Sequence, residues 1–158
     1  MNTRWNAYGV IDPKKVCQIA LVVDDIVKAA QNYAELFGVP VPDIWRIPPE
    51  EEAHTRFRGQ PTATRARLCV FDMGQVVLEL TEADMEPSSW KQFHDEHGQG
   101  VHHIGFQVVD RQSVIDYFLS KGAGERHYGE YTGGNYTFVD SEKAFGVLIN
   151  VKFEEGKQ

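Results

Sequence analysis

The chain has 158 residues, 42% of them apolar, enough to bury one compact core without disulfides or structural metals and too few for a second independent domain. A formal net charge of −7 with no Lys/Arg stripe excludes the electrostatic footprint of a protein that grips a phosphate backbone or an anionic membrane. Cys17 and Cys69 each lie inside a strand-like run, so they read as free buried thiols and not as a disulfide framework or a zinc knuckle.

From Met1 to Pro13 there is neither a basic start leading into an apolar stretch nor a small-residue cleavage site, so a soluble cytoplasmic protein is expected. Val16 to Val23 (VCQIALVV) is too short for a helix and rich in β-branched residues, which predicts a buried strand. Asp24 and Asp25 offer N-caps, and Ile26, Ala29, Ala30, Tyr33, Leu36 and Phe37 recur at helical spacing until Gly38 closes the helix. A weak strand around 43–47 follows. Next, Pro48-Pro49, the run Glu50 to Glu52 and Arg58-Gly59-Gln60-Pro61 punctuate instead of packing, and 48–64 reads as a long mobile loop of the kind that often covers a site. Arg67 to Met73 and Gln75 to Thr81, turning at Gly74, predict a hairpin, and Ser88 or Ser89 begins a short linking helix through Trp90, Phe93 and His94 that ends at Gly98.

The second half repeats the first. Val101 to Val109 (VHHIGFQVV) is a strand, Asp110 an N-cap, and Val114, Ile115, Tyr117, Phe118 and Leu119 mark the buried side of a helix stopped at Gly122. Three more strands are predicted over 124–131, 135–140 and 145–153. Gln18-Ile19-Ala20 matches His103-Ile104-Gly105 at an offset of 103 − 18 = 85, and the same offset pairs Asp25 with Asp110 and Tyr33 with Phe118. One domain therefore contains two βαβββ modules, at about 15–85 and about 100–155, joined by the helix at about 88–98. Strand alternation sets Cys17, Ile19, Leu21 and Val23 against Gln18, Ala20 and Val22, and Ile104, Phe106 and Val108 against His103, Gly105 and Gln107. Small and polar residues sharing a face suit a pocket wall.

A duplicated βαβββ unit with VHHIGFQV opening its second half, WKQFHDEHGQG before it and VVLELTEA closing the first sheet resembles the vicinal oxygen chelate (glyoxalase/bleomycin resistance/dioxygenase) superfamily. The likeness runs from about Val16 to Val151 and is greatest to the methylmalonyl-CoA epimerase and lactoylglutathione lyase-like branch. It implies an α+β fold, a half-open mixed β-sheet barrel around one pocket, and a divalent ion (Mg, Mn, Co, Ni or Zn) held at Gln18, Glu79, His103 and Asn150. The family usually has His at the first of these positions and Glu at the last. Two neutral amides leave the set with one formal negative charge, so weaker metal affinity is expected, with a metal-free polar cluster as the alternative.

The implied activity is a metal-assisted lyase or isomerase acting on a small carbonyl compound or acyl thioester through an enolate-like intermediate, with Glu79 and His103 as catalytic residues. Because Asn150 cannot take a proton, the base falls to Glu79, to His103 if it holds no metal, or to a carboxylate of the Glu50 to Glu52 loop. The alternative of another class is a metal-free binding or sequestering protein. The expected partners are a small molecule and a second copy in a homodimer, with neither nucleic acid nor membrane. Among other residues, alternation sends His102 to the helix-packing face, and His94 with His97 reads as solvated surface. Arg56, Arg58, Arg65 and Arg67 can clamp a ligand anion or pair with surface acids, and Tyr128, Tyr131 and Tyr136 can line the pocket or fill the core.

Overall fold

The computed structural model describes residues 9–157, so the expectation drawn from the N-terminal stretch lies largely outside the described residues. After a short 3-10 turn at Pro13–Lys15, strand β1 (Val16–Val22) leads into helix α1 (Ile26–Phe37). The Asp25 carboxylate caps α1 by accepting from the Lys28 amide, and Gly38 ends it at φ 66°, a left-handed conformation that a residue with a side chain adopts at a cost. Ile26, Ala30 and Ala34 form its buried stripe. Leu36, read from the sequence as part of that stripe, is 73% exposed: the small alanines one turn apart let the helix lie close to the sheet and rotate Leu36 outward.

Strands β2 (Trp45–Arg46), β5 (Arg67–Asp72) and β6 (Val77–Glu82) complete the first module, with β3 (Arg56–Phe57) and β4 (Gln60–Pro61) in the connection between β2 and β5. Helix α3 (Ser89–His97), capped by Ser88 and stopped at Gly98, links the modules; α2 is the single turn Glu50–Ala53. The second module comprises β7 (Gly100–Val108), α4 (Arg111–Ser120), β8 (Glu125–Tyr131), β9 (Gly134–Val139), α5 (Glu142–Phe145) and β10 (Leu148–Glu154). Phe145, predicted in the last strand, belongs instead to the turn of helix α5, which Gly146 closes at φ 80°.

All ten strands form one curled half-barrel sheet in the order β2-β5-β6-β1-β7-β10-β9-β8-β3-β4. Within each module the first strand runs parallel to the last, β1 to β6 and β7 to β10, and the modules meet where β1 and β7 pair antiparallel. At that seam Ile19 pairs with Ile104, the residue 104 − 19 = 85 positions on. The repeat read from the sequence is thus a spatial two-fold, its axis passing through the pair of equivalent isoleucines. Outside the barrel, α1 packs on Cys69, Phe71, Leu78 and Leu80, while α4 presents Val114, Ile115 and Phe118 to Val139 and Val151. Each fully buried side chain of this size contributes roughly 1.5–3 kcal/mol.

Residues 48–64 do not form the mobile loop expected from their punctuation. They make a strap that leaves β2 at one edge of the sheet and reaches the other edge, where Arg56 and Phe57 pair with Tyr128 and His127 of β8. Arg58 and Gly59 turn β3 into β4 with φ of 50° and 80°, the two positive values a tight hairpin turn requires. Thr55, Thr62 and Thr64 are buried residues of the strap itself, with Thr64 Oγ1 donating to Asp84 Oδ1 at 2.8 Å. Short polar segments of this kind take their order from partners distant in sequence, which local periodicity does not register.

Candidate active site

The concave face of the sheet encloses a cavity of about 360 Å³. Leu68, Val70 and Val77 wall it from the first module, Tyr136 and Phe138 from the second, Trp90 from the linking helix, and Trp45, Ile47 and Pro48 where the strap begins. Gln18, Glu79, His103 and Asn150 also line it, one from each of the four adjacent central strands β1, β6, β7 and β10. Strand register explains their meeting: Ala20 lies opposite both Glu79 and His103, and Gly105 opposite both Gln18 and Asn150. Two small residues, themselves two-fold mates, leave room for four long side chains. A Cβ on Gly105 would sit 2.9 Å from Gln18 Cβ and 3.0 Å from its Oε1, so only glycine fits beneath this cluster.

The four sequence-predicted site residues form one hydrogen-bonded group. Gln18 Oε1 accepts from His103 Nε2 at 2.7 Å and from Asn150 Nδ2 at 2.9 Å, while Gln18 Nε2 donates to Glu79 Oε2 at 2.6 Å. Thr81 Oγ1 donates to the other Glu79 oxygen at 3.2 Å. Because an amide oxygen only accepts, the His103 Nε2 proton is fixed by this arrangement, and Nδ1 of the neutral ring must accept from His102 Nδ1 at 2.7 Å. His102 Nε2 in turn accepts from Ser89 Oγ at 3.0 Å. A single directed chain therefore runs from Ser89 through both histidines and Gln18 to Glu79.

Burial sets the protonation states. It holds His102 down to about 3 and His103 well below the ordinary imidazole range, with the charges of Lys152 and neighbouring imidazoles pushing His103 the same way. Burial also pushes the Glu79 carboxyl up, opposed by the Lys152 charge and by the hydrogen bonds from Thr81 and Gln18. Glu79 keeps partial access through the cavity, whereas Gln18, His103 and Asn150 are buried. An acid with a raised pKa beside neutral imidazole is suited to moving a proton near neutral pH.

The donor set fits a divalent ion of hard or borderline character: one imidazole nitrogen, one carboxylate and two amide oxygens, with Asn150 Oδ1 buried and without a hydrogen-bond partner. Releasing His103 Nε2 to a metal requires its proton on Nδ1, and His102 with Ser89 can receive that reversed polarity through the same contacts. Among the described residues no group of three His, Cys, Asp or Glu converges, so any metal here depends on the amides.

His102 corrects the sequence reading in one respect. Ala20 pairs with His103 and Leu21 with Val101, leaving His102 as the extra residue of a bulge in β7; its buried ring does pack on a helix, but on Ser89 and Phe93 of the linking helix α3, beside His103 and Phe138. The Glu50 to Glu52 carboxylates do not line the cavity, and Glu50 pairs with Arg56 at 2.6 Å, removing the loop as a source of base. The other arginines also have protein partners: Arg58 with Asp140, Arg65 with the Ile47 carbonyl and Arg67 with Glu82. Tyr131 and Tyr136 line the cavity, Tyr128 lies under Arg111 outside it, and His94 pairs with Asp24. Sequence reasoning missed Lys152 and Glu130, both cavity-lining. Alternation along LINVKFE places Leu148, Asn150 and Lys152 on one face and was a sufficient signal for the lysine.

Residues 17–138 match the family model of the glyoxalase/bleomycin resistance protein/dioxygenase superfamily. The chain belongs to this superfamily. Among solved structures it is similar to a Streptomyces coelicolor methylmalonyl-CoA epimerase in complex with 2-nitronate-propionyl-CoA (19% identity, 90% of this chain and 98% of that one, TM-score 0.61). It is also similar to methylmalonyl-CoA epimerase from Mycobacterium tuberculosis (18%, 94% and 95%, TM-score 0.60) and to a hypothetical protein from Bacillus halodurans (17%, 91% and 96%, TM-score 0.64). At these identities the likeness shows the shared fold. No curated protein matches the sequence. Among the described residues no helix is long and apolar enough to cross a membrane.

Proposed function

We propose that this glyoxalase-superfamily chain is a lyase or isomerase of the epimerase type, acting on a small carbonyl compound or acyl thioester by moving a proton on the carbon next to the carbonyl. The observation that carries this reading is Glu79: a carboxyl with a raised pKa, reachable from the cavity and anchored on both oxygens by Gln18 and Thr81. Gln18 orients Glu79 Oε2, and His103 and Asn150 together orient Gln18 through its Oε1. The apolar walls exclude water from the carbon that loses its proton. Gln18, Glu79, His103 and Asn150 would hold a divalent ion, which when bound supplies Lewis-acid polarisation of the substrate carbonyl. The closure of these four side chains on one another favours a second reading, a metal-free protein that binds an organic ligand.

Elemental analysis of protein purified without chelator, followed by calorimetric titration of Mn, Co, Ni, Zn and Mg into wild type and His103→Ala, separates the two. Stoichiometric metal that the variant loses supports the enzyme. Metal that fails to bind at millimolar concentration, together with no solvent-deuterium exchange into acyl thioesters by NMR, leaves the binding protein.

A further inference from the structure

Two serines open the linking helix and divide the work there. Ser88 is the N-cap, its hydroxyl accepting from the Lys91 amide at 3.0 Å. Ser89 follows in the first turn, where backbone N–H groups have no partner inside the helix. Its N–H donates to His127 Nδ1 at 3.2 Å, and its Oγ lies 3.0 Å from His102 Nε2. A serine hydroxyl on an imidazole is also the arrangement of an activated nucleophile. Ser89 and His102 are buried, however, and neither is among the residues that line the cavity, so the hydroxyl can act on the site only through His102.

The relay from Ser89 through His102 to His103 has two polarities. In the closed cluster His103 Nε2 and His102 Nδ1 carry the protons, and Ser89 donates to His102 Nε2. When His103 Nε2 serves as a metal ligand, its proton sits on Nδ1 and points at His102 Nδ1, so the His102 proton sits on Nε2 and points at Ser89 Oγ. Each ring carries one proton in both states, and the pair changes tautomer without gaining or losing a proton. Aromatic packing keeps either ring from turning over instead: Phe93 and Phe138 meet His102 edge-on with ring centres 5.4 and 5.0 Å away, and Phe138 lies 4.5 Å from His103. The end group must therefore donate in one state and accept in the other, which a hydroxyl does by rotating about its Cβ–Oγ bond. Without it, a buried N–H is left with no acceptor, a situation folded proteins rarely tolerate. Resting on the metal-assisted reading of the site given above, we infer that Ser89 is a positioning residue whose hydroxyl lets His102 and His103 switch tautomer together when a metal binds. His127, held by the Ser89 backbone and not by its hydroxyl, keeps its Nε2 proton throughout.

Proton–nitrogen NMR correlations of the imidazole rings distinguish the two tautomers, and zinc, which has a filled d shell, is the probe. In metal-free wild type His102 is expected as the Nδ1–H form, with His103 and His127 as Nε2–H. Saturating zinc should move His102 to Nε2–H and His103 to Nδ1–H while His127 stays unchanged as an internal control. By calorimetry Ser89→Ala should weaken zinc binding about tenfold to a hundredfold, and Ser89→Thr, which keeps the hydroxyl, should restore it. Thermal melts check that both variants fold, and the wild-type spectra decide the tautomers even if the alanine variant does not. His102 found as Nε2–H in the metal-free protein, His102 unswitched while zinc occupies His103, zinc affinity equal in wild type and folded Ser89→Ala, or a threonine variant as weak as the alanine one overturns the inference and leaves the enzyme reading intact. Zinc that does not bind wild type also overturns it; titration of Mn, Co, Ni and Mg and the solvent-deuterium exchange then judge the enzyme reading separately.

Discussion

The two modules share a backbone plan and differ in the chemistry placed on it. The two-fold that pairs Ile19 with Ile104 relates Gln18 to His103, and it relates Glu79, opposite Ala20, to Asn150, opposite Gly105. Each module thus supplies one side chain from its first strand and one from its last. Module one provides an amide and the carboxylate; module two provides the imidazole and an amide. Duplication created two pairs of equivalent positions, and divergence set the one carboxylate of the group in one half and the one imidazole in the other. A site of this kind has no function in either half alone.

Removing the acid should break the comparison most severely. Glu79→Gln is expected to lower proton exchange at the substrate carbon by about 10²–10⁴-fold, read by NMR in deuterated solvent, while relieving a buried charge raises the melting temperature by a few degrees. Making the modules more alike tests the same idea from the other side. Asn150→Glu gives the donor set a second carboxylate, and divalent metal should bind about tenfold or more tightly by calorimetry.

The two-fold mates Ala20 and Gly105 offer a third test. Gly105→Ala forces Gln18 aside and should destabilise the fold by about 1–3 kcal/mol, weakening metal binding with it. Ala20→Gly, which removes a methyl group from the equivalent place, should cost about 1 kcal/mol and leave Gln18 in position. Chemical denaturation reads both, and equal losses would show that the close contact at Gly105 is not what constrains the cluster.

Acid sensitivity should distinguish the halves more gently. His127, in module two, is held down to about 3 from 6.5 by burial, with the His102 charge acting in the same direction. An imidazole depressed in the folded state takes up protons first in the unfolded chain, so its contribution to stability is complete above pH 6.5 and is lost as pH falls towards 3. Melting temperature should therefore fall across that window, and His127→Gln should flatten the slope. The smallest effect belongs to the strap: Arg56→Ala breaks a partly exposed pair with Glu50 and should cost less than about 1 kcal/mol.

The duplicated core was legible because its signals are local. Aspartate caps at Asp25 and Asp110, closing glycines and two-residue alternation locate the strands and helices, and alternation alone places Gln18 and His103 on the pocket face. Two things were hidden by features that break local periodicity. The bulge at His102 interrupts the alternation at that residue, concealing the relay to Ser89. The strap owes its order to Phe57 pairing with His127, 70 residues further on (127 − 57 = 70), and to buried threonines that read as polar loop. Arg56, Arg58, Arg65 and Arg67 could be read from the sequence as a ligand clamp or as surface pairs, and the folded chain assigns the partners: acids for Arg56, Arg58 and Arg67 and a carbonyl for Arg65.

The strap also bears on how the protein is made. On the ribosome residues 48–64 emerge before β8, the strand they pair with, and β1 emerges before β7, its neighbour across the seam. Module one carries an unpaired central edge until β7 is out, at about two thirds of the chain, and a dangling extension until β8 is out, at about four fifths, and both are open to association with other nascent chains. Synthesis of the second half relieves the two in turn, so cutting the gene at the linking helix would yield fragments that aggregate instead of two half-sized domains.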